Sequence, residues 1–410
     1  MQRQSKVLLI IEKNPSGSYG IQMAKRMGLY VIFFTNNRYS NRPSEEDKRY
    51  IDELFEVDTN SDDDVMHLVE KISVKTKIDA VITFMEYYVP LVAKVAQYLG
   101  VNGNSVECGI CTHDKYEMRN KLYQNGASIP QYFMFDSLES LLEGVKVIGY
   151  PNVIKPINMA ASRAVLKSYN EEELVTNYKQ LIQENPPYGV RKETRYLLEE
   201  YVDGQEISVE AAVENGKVSI IALTKKYVSG GKHFVEMGHT VPYNVDEKTR
   251  MEIERCVVEG IRALGITNSI THSEIKISPK GPKIIEIASR LGGDHIPDLV
   301  NYAYGIDMWK MAIEIALGEK TSCNRLRNEA ASIVFLSANP GKIIRIENKD
   351  VIKKKVGIKL LHLDCSVGDR VESLENSLSR IGEIITVGKN CEEAEELSSW
   401  ALNNIIIETR

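Results

Sequence analysis

The stretch that most constrains this chain is HSEIKISPKGPKIIEIASRLGGD, residues 272–294. Two β-forming runs, 271–278 and 282–289, flank the break Pro279-Lys280-Gly281. Alternating β-formers around a short loop containing glycine predict a hairpin. With a three-residue loop, Glu274 lies opposite Glu286. Side chains two apart share a face of a strand. His272, Glu274 and Lys276 therefore line one face with Glu286, Ala288 and Arg290. Ile275, Ile277, Ile285 and Ile287 line the other, the expected core side. Ile284 is the one misfit, an apolar residue on the polar face.

Two carboxylates directly opposed on a sheet repel and destabilise the pair. A divalent cation between them reverses the sign of that interaction. Carboxylates completed by water and phosphate oxygens are the usual shell of Mg²⁺. The plain alternative is a solvated acidic face, which is common on proteins. Arg290 and the turn Gly292-Gly293-Asp294 weigh against it. A cation, an arginine and a glycine-rich turn together suit phosphate charge.

The remaining sequence sets outer limits. The chain has 410 residues, room for two to four domains at about 100–200 residues each. Its apolar content of 43% and charged content of 26% are those of a globular protein with sizeable cores. A net charge of −6 argues against nucleic-acid and membrane-surface partners, which need a basic face. No apolar run approaches the about 18 residues of a membrane span. The first apolar run is too short for a signal-peptide core and reads as a strand. Of the 6 cysteines, only Cys108 and Cys111 are close, and zinc would need a second pair. They read as reduced thiols, which implies a cytoplasmic location.

Residues 1–112 alternate strands (6–11, 30–35, 53–57, 78–84, a short one at 101–103) with helices (20–27, 65–72, 88–99), the pattern of a parallel α/β domain. The loop 15–20 has neither a dinucleotide nor a P-loop pattern. Glu86 follows a strand at its carboxyl end, where such sheets bind ligands. A helix at 113–129 precedes strands at 150–156 and 164–167, joined by the loop INMAASR, 157–163. An antiparallel lobe follows, with strands 196–202, 205–213 and 217–224; Asn215-Gly216 is a strong hairpin turn. Residues 228–241, with three glycines and two histidines, read as a mobile segment before a helix at 246–264. Residues 325–410 read as a small α+β unit.

The order of these elements carries a resemblance. Asp114-Lys115, Lys155-Pro156, EEYVDGQEISVE at 199–210, HSEIK and IIEIASR follow one another as in ATP-grasp ligases. The chain resembles that superfamily over about its whole length. With Glu236-Met237-Gly238-His239 upstream of HSEIK, it is most similar to the L-amino-acid ligases, which make dipeptides. The resemblance implies an ATP-grasp fold of mixed α/β and α+β domains. These are an N-terminal parallel α/β domain (1–112), a small lobe (113–195) with a lid at 157–163, a large lobe (196–324) holding ATP and metal, and a C-terminal α+β domain (325–410).

It also implies roles. Lys115 and Lys155 neutralise phosphate oxygens, as compact cations suit phosphate, and Ser162 of the lid adds a donor. Glu199, Glu200 and Val202 hold adenine, largely through backbone groups, and Glu206 accepts from ribose hydroxyls. Glu274 and Glu286 hold Mg²⁺, with Mn²⁺ as a substitute. Many ATP-grasp enzymes carry Asn where Ala288 stands, so that metal ligand is missing, while a small residue there is compatible with the amino-acid-ligase branch. Arg290 stabilises the transferring phosphoryl group and the tetrahedral intermediate. Glu86 receives the substrate ammonium, and Glu236, His239 and Gly293 contact substrate. The implied reaction forms an amide through an acyl phosphate, with ADP and phosphate released. Its partners are a small carboxylate and a small amine, and the chain is expected to form a homodimer. Relatives have several glycines in the lid, and this chain has Asn158, Ala160 and Ala161. An ATP-grasp ligase with other substrates, and a non-catalytic nucleotide binder, are the competing readings.

Overall fold

A computed structural model describes residues 5–37, 42–229 and 234–410. Residues 230–233, the centre of the segment expected to be mobile, lie outside the described residues, and Glu236–Val241 is a strand. The N-terminal sheet is parallel, in the order Glu53–Glu56, Tyr30–Thr35, Val7–Ile11, Ala80–Ile82. Val7–Ile11 is buried on both faces, which explains its unbroken apolar run. No strand forms at 101–103. Ser105 caps a helix there instead, accepting from the Cys108 N–H ahead of Val106–Cys111.

The second sheet runs Tyr132–Phe135, Tyr196–Glu200, Asn152–Pro156, Leu166–Ser168, all antiparallel. Tyr196–Glu200 thus belongs to the small sheet rather than to the antiparallel lobe that follows it. Its backbone is paired at both edges, and Leu197 and Leu198, on opposite faces, are both fully buried.

The central sheet has eight strands, in the order Gly281–Ala288, Ser269–Ser278, Gln205–Glu214, Lys217–Val228, Glu236–Val241, Ala330–Leu336, Gly382–Gly388, Ile358–Leu363. The last three come from the C-terminal tail, which therefore extends the same sheet as well as packing on it. Asn215 and Gly216 turn the Gln205–Glu214 hairpin with φ of 50° and 76°, the left-handed pair that a tight turn requires. Alternation along Gln205–Glu214 divides its faces. Ile207, Val209, Ala211 and Val213 pack with Ile253, Val257 and Ile261 of the helix Glu247–Ala263. Glu206, Ser208 and Glu210 fall on the opposite face.

The decisive hairpin differs from the expected one by a single bulge. Glu274 does face Glu286 and His272 faces Ala288. The turn then uses only Pro279-Lys280, and the register shifts between Glu274 and Ile275, so Ile275 pairs with Ile284. The extra residue is Ile285. A bulge gives one strand an additional residue and re-aims its side chains. Ile284 therefore enters the core with Ile275 and Ile287, fully buried, while Ile285 turns to the cavity. The sequence misfit disappears, and Ile285 leaves the core side on which alternation had put it.

Candidate active site

A cavity of about 530 Å³ lies among the N-terminal domain, the small sheet and the polar face of the central sheet. Every residue singled out in the sequence lines it except His239: Glu86, Lys115, Lys155, Ser162, Glu199, Glu200, Val202, Glu206, Glu236, Glu274, Glu286, Arg290 and Gly293. His239 is fully buried behind the wall. It meets the cavity lining through Asp294, with Nε2 3.3 Å from Oδ2, and through the Phe335 ring, which it packs against edge-on.

Lys115 opens the helix Lys115–Gln124, whose first turn is capped by Asp114 accepting from the N–H groups of Tyr116 and Glu117. Its ammonium donates to the Met159 carbonyl at 2.8 Å and pairs with Glu286 at 3.1 Å. Lys155 ends the strand Asn152–Pro156 and pairs with Glu199 Oε2 at 2.6 Å. Glu199 Oε1 accepts from Arg119 Nε at 2.7 Å. With both oxygens committed to cations, the Glu199 side chain sets Lys155, and its backbone lies in a strand paired at both edges. Burial draws the Lys155 ammonium below its usual range. For Lys115 burial acts the same way, but Glu286 and Glu86 overcome it and raise the group.

Arg290 Nε donates to Glu86, and Nη1 donates to the Leu291 carbonyl at 2.7 Å. Burial alone would raise the Glu86 carboxyl; Arg290 and then His113 overcome it and hold it at about 2. A largely buried arginine and a buried carboxylate each need the other.

Lys226 was not singled out in the sequence. It is 2% exposed and its ammonium binds three carboxylates: Glu274 at 2.6 Å, Glu206 at 3.2 Å, and Glu236. These carboxylates would repel without a cation. Burial would raise the Glu274 carboxyl, but Lys226 and His272 bring it well below its usual value. Glu236 is raised, because burial prevails over Lys226 there. His272 pairs with Glu210 at 2.8 Å. Burial would lower its imidazole, but Glu210 pushes it up to about 10.

The tail closes the far wall. Arg380 donates to Asp294 with two nitrogens, at 2.6 and 2.8 Å, and to the Glu236 carbonyl at 3.1 Å. Its guanidinium lies 3.6 Å from the centre of the Phe335 ring. Lys226 and Arg380 were missed because their partners are distant in sequence. The one signal was a lysine at an inward position of an alternating strand.

The loop over the cavity departs from relaxed geometry. Ala161, Ser162 and Ala164 have φ of 61°, 54° and 51°, a region costly for residues with a Cβ. The Tyr87 hydroxyl accepts from the Ala160 N–H at 3.4 Å, and Arg163 pairs with Glu184. Cys108 and Cys111 are free and buried. Burial pushes the Cys108 thiol up to about 12, which suits an inert thiol.

The donor set fits a hard divalent cation. Glu274 and Glu286 are opposed across adjacent strands, and each is paired with a lysine, Lys226 and Lys115.

Comparison with known proteins agrees with this geometry. Residues 148–298 match the family described as the ATP-grasp domain, and residues 21–102 match the ATP-grasp N-terminal domain. The chain carries an ATP-grasp domain. Residues 334–410 match the L-amino acid ligase C-terminal domain 2. The alanine–anticapsin ligase of Bacillus subtilis strain 168 is 26% identical over 273 residues, which is 62% of this chain and 57% of that relative. The match thus spans little more than half of the relative's length. An L-amino acid ligase from Bacillus licheniformis has the same fold, with a TM-score of 0.85 at 22% identity and 100% of both chains covered. A biotin carboxylase domain dimer from Hydrogenobacter thermophilus, solved with MgADP, has a TM-score of 0.72 at 19% identity, covering 99% of this chain and 92% of that one. No helix among the described residues is long and apolar enough to cross a membrane.

Proposed function

We propose that the chain is an ATP-dependent carboxylate–amine ligase that joins two amino acids, or close analogues, through an acyl phosphate. One observation carries the reading. A single cavity brings together phosphate-type lysines (Lys115, Lys155), an opposed carboxylate pair (Glu274, Glu286) and a largely buried arginine held by a carboxylate (Arg290, Glu86). A nucleotide binder without chemistry has no need of the last of these, since burying Arg290 with Glu86 costs desolvation that adenine and phosphate contacts do not require.

The substrate carboxylate attacks the γ-phosphorus of ATP, and ADP leaves. The amine then attacks the acyl carbon, phosphate leaves, and the nitrogen gives up a proton as the amide forms. A divalent cation on Glu274 and Glu286, Mg²⁺ with Mn²⁺ as a substitute, would neutralise phosphate oxygens. Lys115 and Lys155 add fixed positive charge, and Arg290 faces the oxygens on which charge develops. Glu86 keeps that guanidinium aimed. Glu236, Gly293 and the Asp294–Arg380 pair form the wall next to the amine. The loop 157–163 excludes water, which would otherwise hydrolyse the acyl phosphate.

Amino-acid substrates follow from the match to an L-amino acid ligase C-terminal domain and from the alanine named in the Bacillus relative. We extend the reading to a cytoplasmic homodimer, in keeping with free thiols and the dimer named in the biotin carboxylase structure. The test is phosphate release from ATP and Mg²⁺ across pairs of amino acids, with mass spectrometry of the products. Phosphate together with a dipeptide mass is expected. ATP binding without phosphate release from any amino-acid pair would overturn the reading.

A further inference from the structure

One rung of the central sheet runs Glu210, His272, Ala288 across three strands. The next runs Ser208, Glu274, Glu286. On the first rung, Glu210 is 0% exposed. Its Oε1 lies 2.8 Å from His272 Nδ1 and accepts from Ser208 Oγ at 2.9 Å. Its Oε2 has no partner. A wholly buried carboxylate is costly to keep, and among the described residues no other cation is paired with this one. The packing of Ile207, Val209 and Ala211 on the other face of the strand does not involve it, and on its own face the adjoining rung is apolar, Ala212 beside Ile270.

The pair fixes a ring. With Nδ1 held by Glu210, His272 turns Nε2 toward the cavity, 3.7 Å from Glu274 Oε1. That is a packing and charge contact, longer than a hydrogen bond. The opposite neighbour, Ala288, offers no ligand atom and leaves room for the ring. Gly292 confines it from above, since a Cβ there would stand 2.8 Å from His272 Nδ1 and 3.3 Å from Glu210 Oε2. The turn after Arg290 therefore rests directly on the pair.

We infer that Glu210 and His272 are positioning residues that fix the Glu274 carboxylate for divalent-cation binding, on a sheet whose facing position, Ala288, supplies no ligand of its own. The inference rests on reading Glu274 and Glu286 as the metal ligands. A group behind a ligand commonly changes metal affinity about 10–100-fold when it is removed.

The experiment titrates Mn²⁺ into the full chain with ADP present, reading free Mn²⁺ by electron paramagnetic resonance. Metal-free ADP affinity and metal-free melting are measured alongside. Glu286→Gln tests the underlying reading and is expected to abolish tight Mn²⁺ binding. His272→Asn retains an N–H near the Nδ1 position for Glu210 but removes the arm toward Glu274. Glu210→Gln keeps the shape of the side chain and removes its charge. Both are expected to weaken Mn²⁺ at least about tenfold, with metal-free ADP affinity unchanged. Mn²⁺ binding at wild-type strength in both of these variants, while Glu286→Gln loses it, would overturn the positioning role alone. Wild-type binding in Glu286→Gln would overturn the metal reading and the positioning role with it.

Discussion

Arg290 and Glu86 are a pair in which each residue offsets the burial cost of the other. The Glu86 carboxyl is held at about 2, against 4.5 for a free group. The folded value lies below the unfolded one, so the stabilisation is complete above about pH 4.5 and is lost as pH falls toward 2. Glu86→Gln should therefore flatten the acid limb of the stability curve over that window and destabilise the neutral protein by about 3 kcal/mol, since it leaves Arg290 buried and unpaired. Denaturant melts of both proteins between pH 2 and 7 check this. An unchanged acid limb would show that the pair does not hold. Arg290→Ala should lower kcat by about 10²–10³-fold, the scale of a lost transition-state donor, with a much smaller change in ATP affinity. Equal losses would reduce Arg290 to a binding residue. At this scale the sequence was legible where chemistry clusters locally. Glu274, Glu286 and Arg290 lie on one hairpin, and alternation alone puts them on one face. Lys226, Glu210 and Arg380 were not legible, because each acquires its meaning from a partner on another strand or in the tail.

Among the elements, the hairpin shows how one backbone irregularity changes a face. The rung at Glu274 was readable because it lies beyond the bulge from the turn, where the miscounted loop residue and the bulged residue cancel. Ile284 and Ile285 lie between the two, and their faces came out reversed. The small-sheet strand Tyr196–Glu200 was likewise readable as a strand but not as to its sheet, since apolar alternation does not name a neighbour. The loop at 157–163 carries its own test. Ala161 has a φ of 61°, so Ala161→Gly should stabilise by about 0.5–1 kcal/mol in urea melts, and Ala161→Val should destabilise by more than about 1 kcal/mol. Loss of stability in the glycine variant would contradict the left-handed loop.

For the whole molecule, the tail and the ATP-grasp core share one sheet, and Arg380 reaches from the tail into the substrate wall. Removing it leaves the half-buried Asp294 beside Glu236 without its guanidinium partner. Arg380→Ala should cost about 3 kcal/mol of stability and raise KM for an amino-acid substrate several-fold, with KM for ATP nearly unchanged. A larger effect on ATP would move the tail's role to the nucleotide. The sequence revealed the strands of the tail but not that they join the central sheet. Pairing between Glu236–Val241 and Ala330–Leu336 spans a long separation that no local pattern encodes.

The account stands or falls on the acyl phosphate. The most direct measurement supplies an amino acid labelled with ¹⁸O in its carboxylate, together with ATP, Mg²⁺ and the amine partner, and follows the label by mass spectrometry. One ¹⁸O from each substrate carboxylate should appear in the released phosphate, with ADP unlabelled. Label in AMP, or phosphate free of label while amide forms, would contradict it.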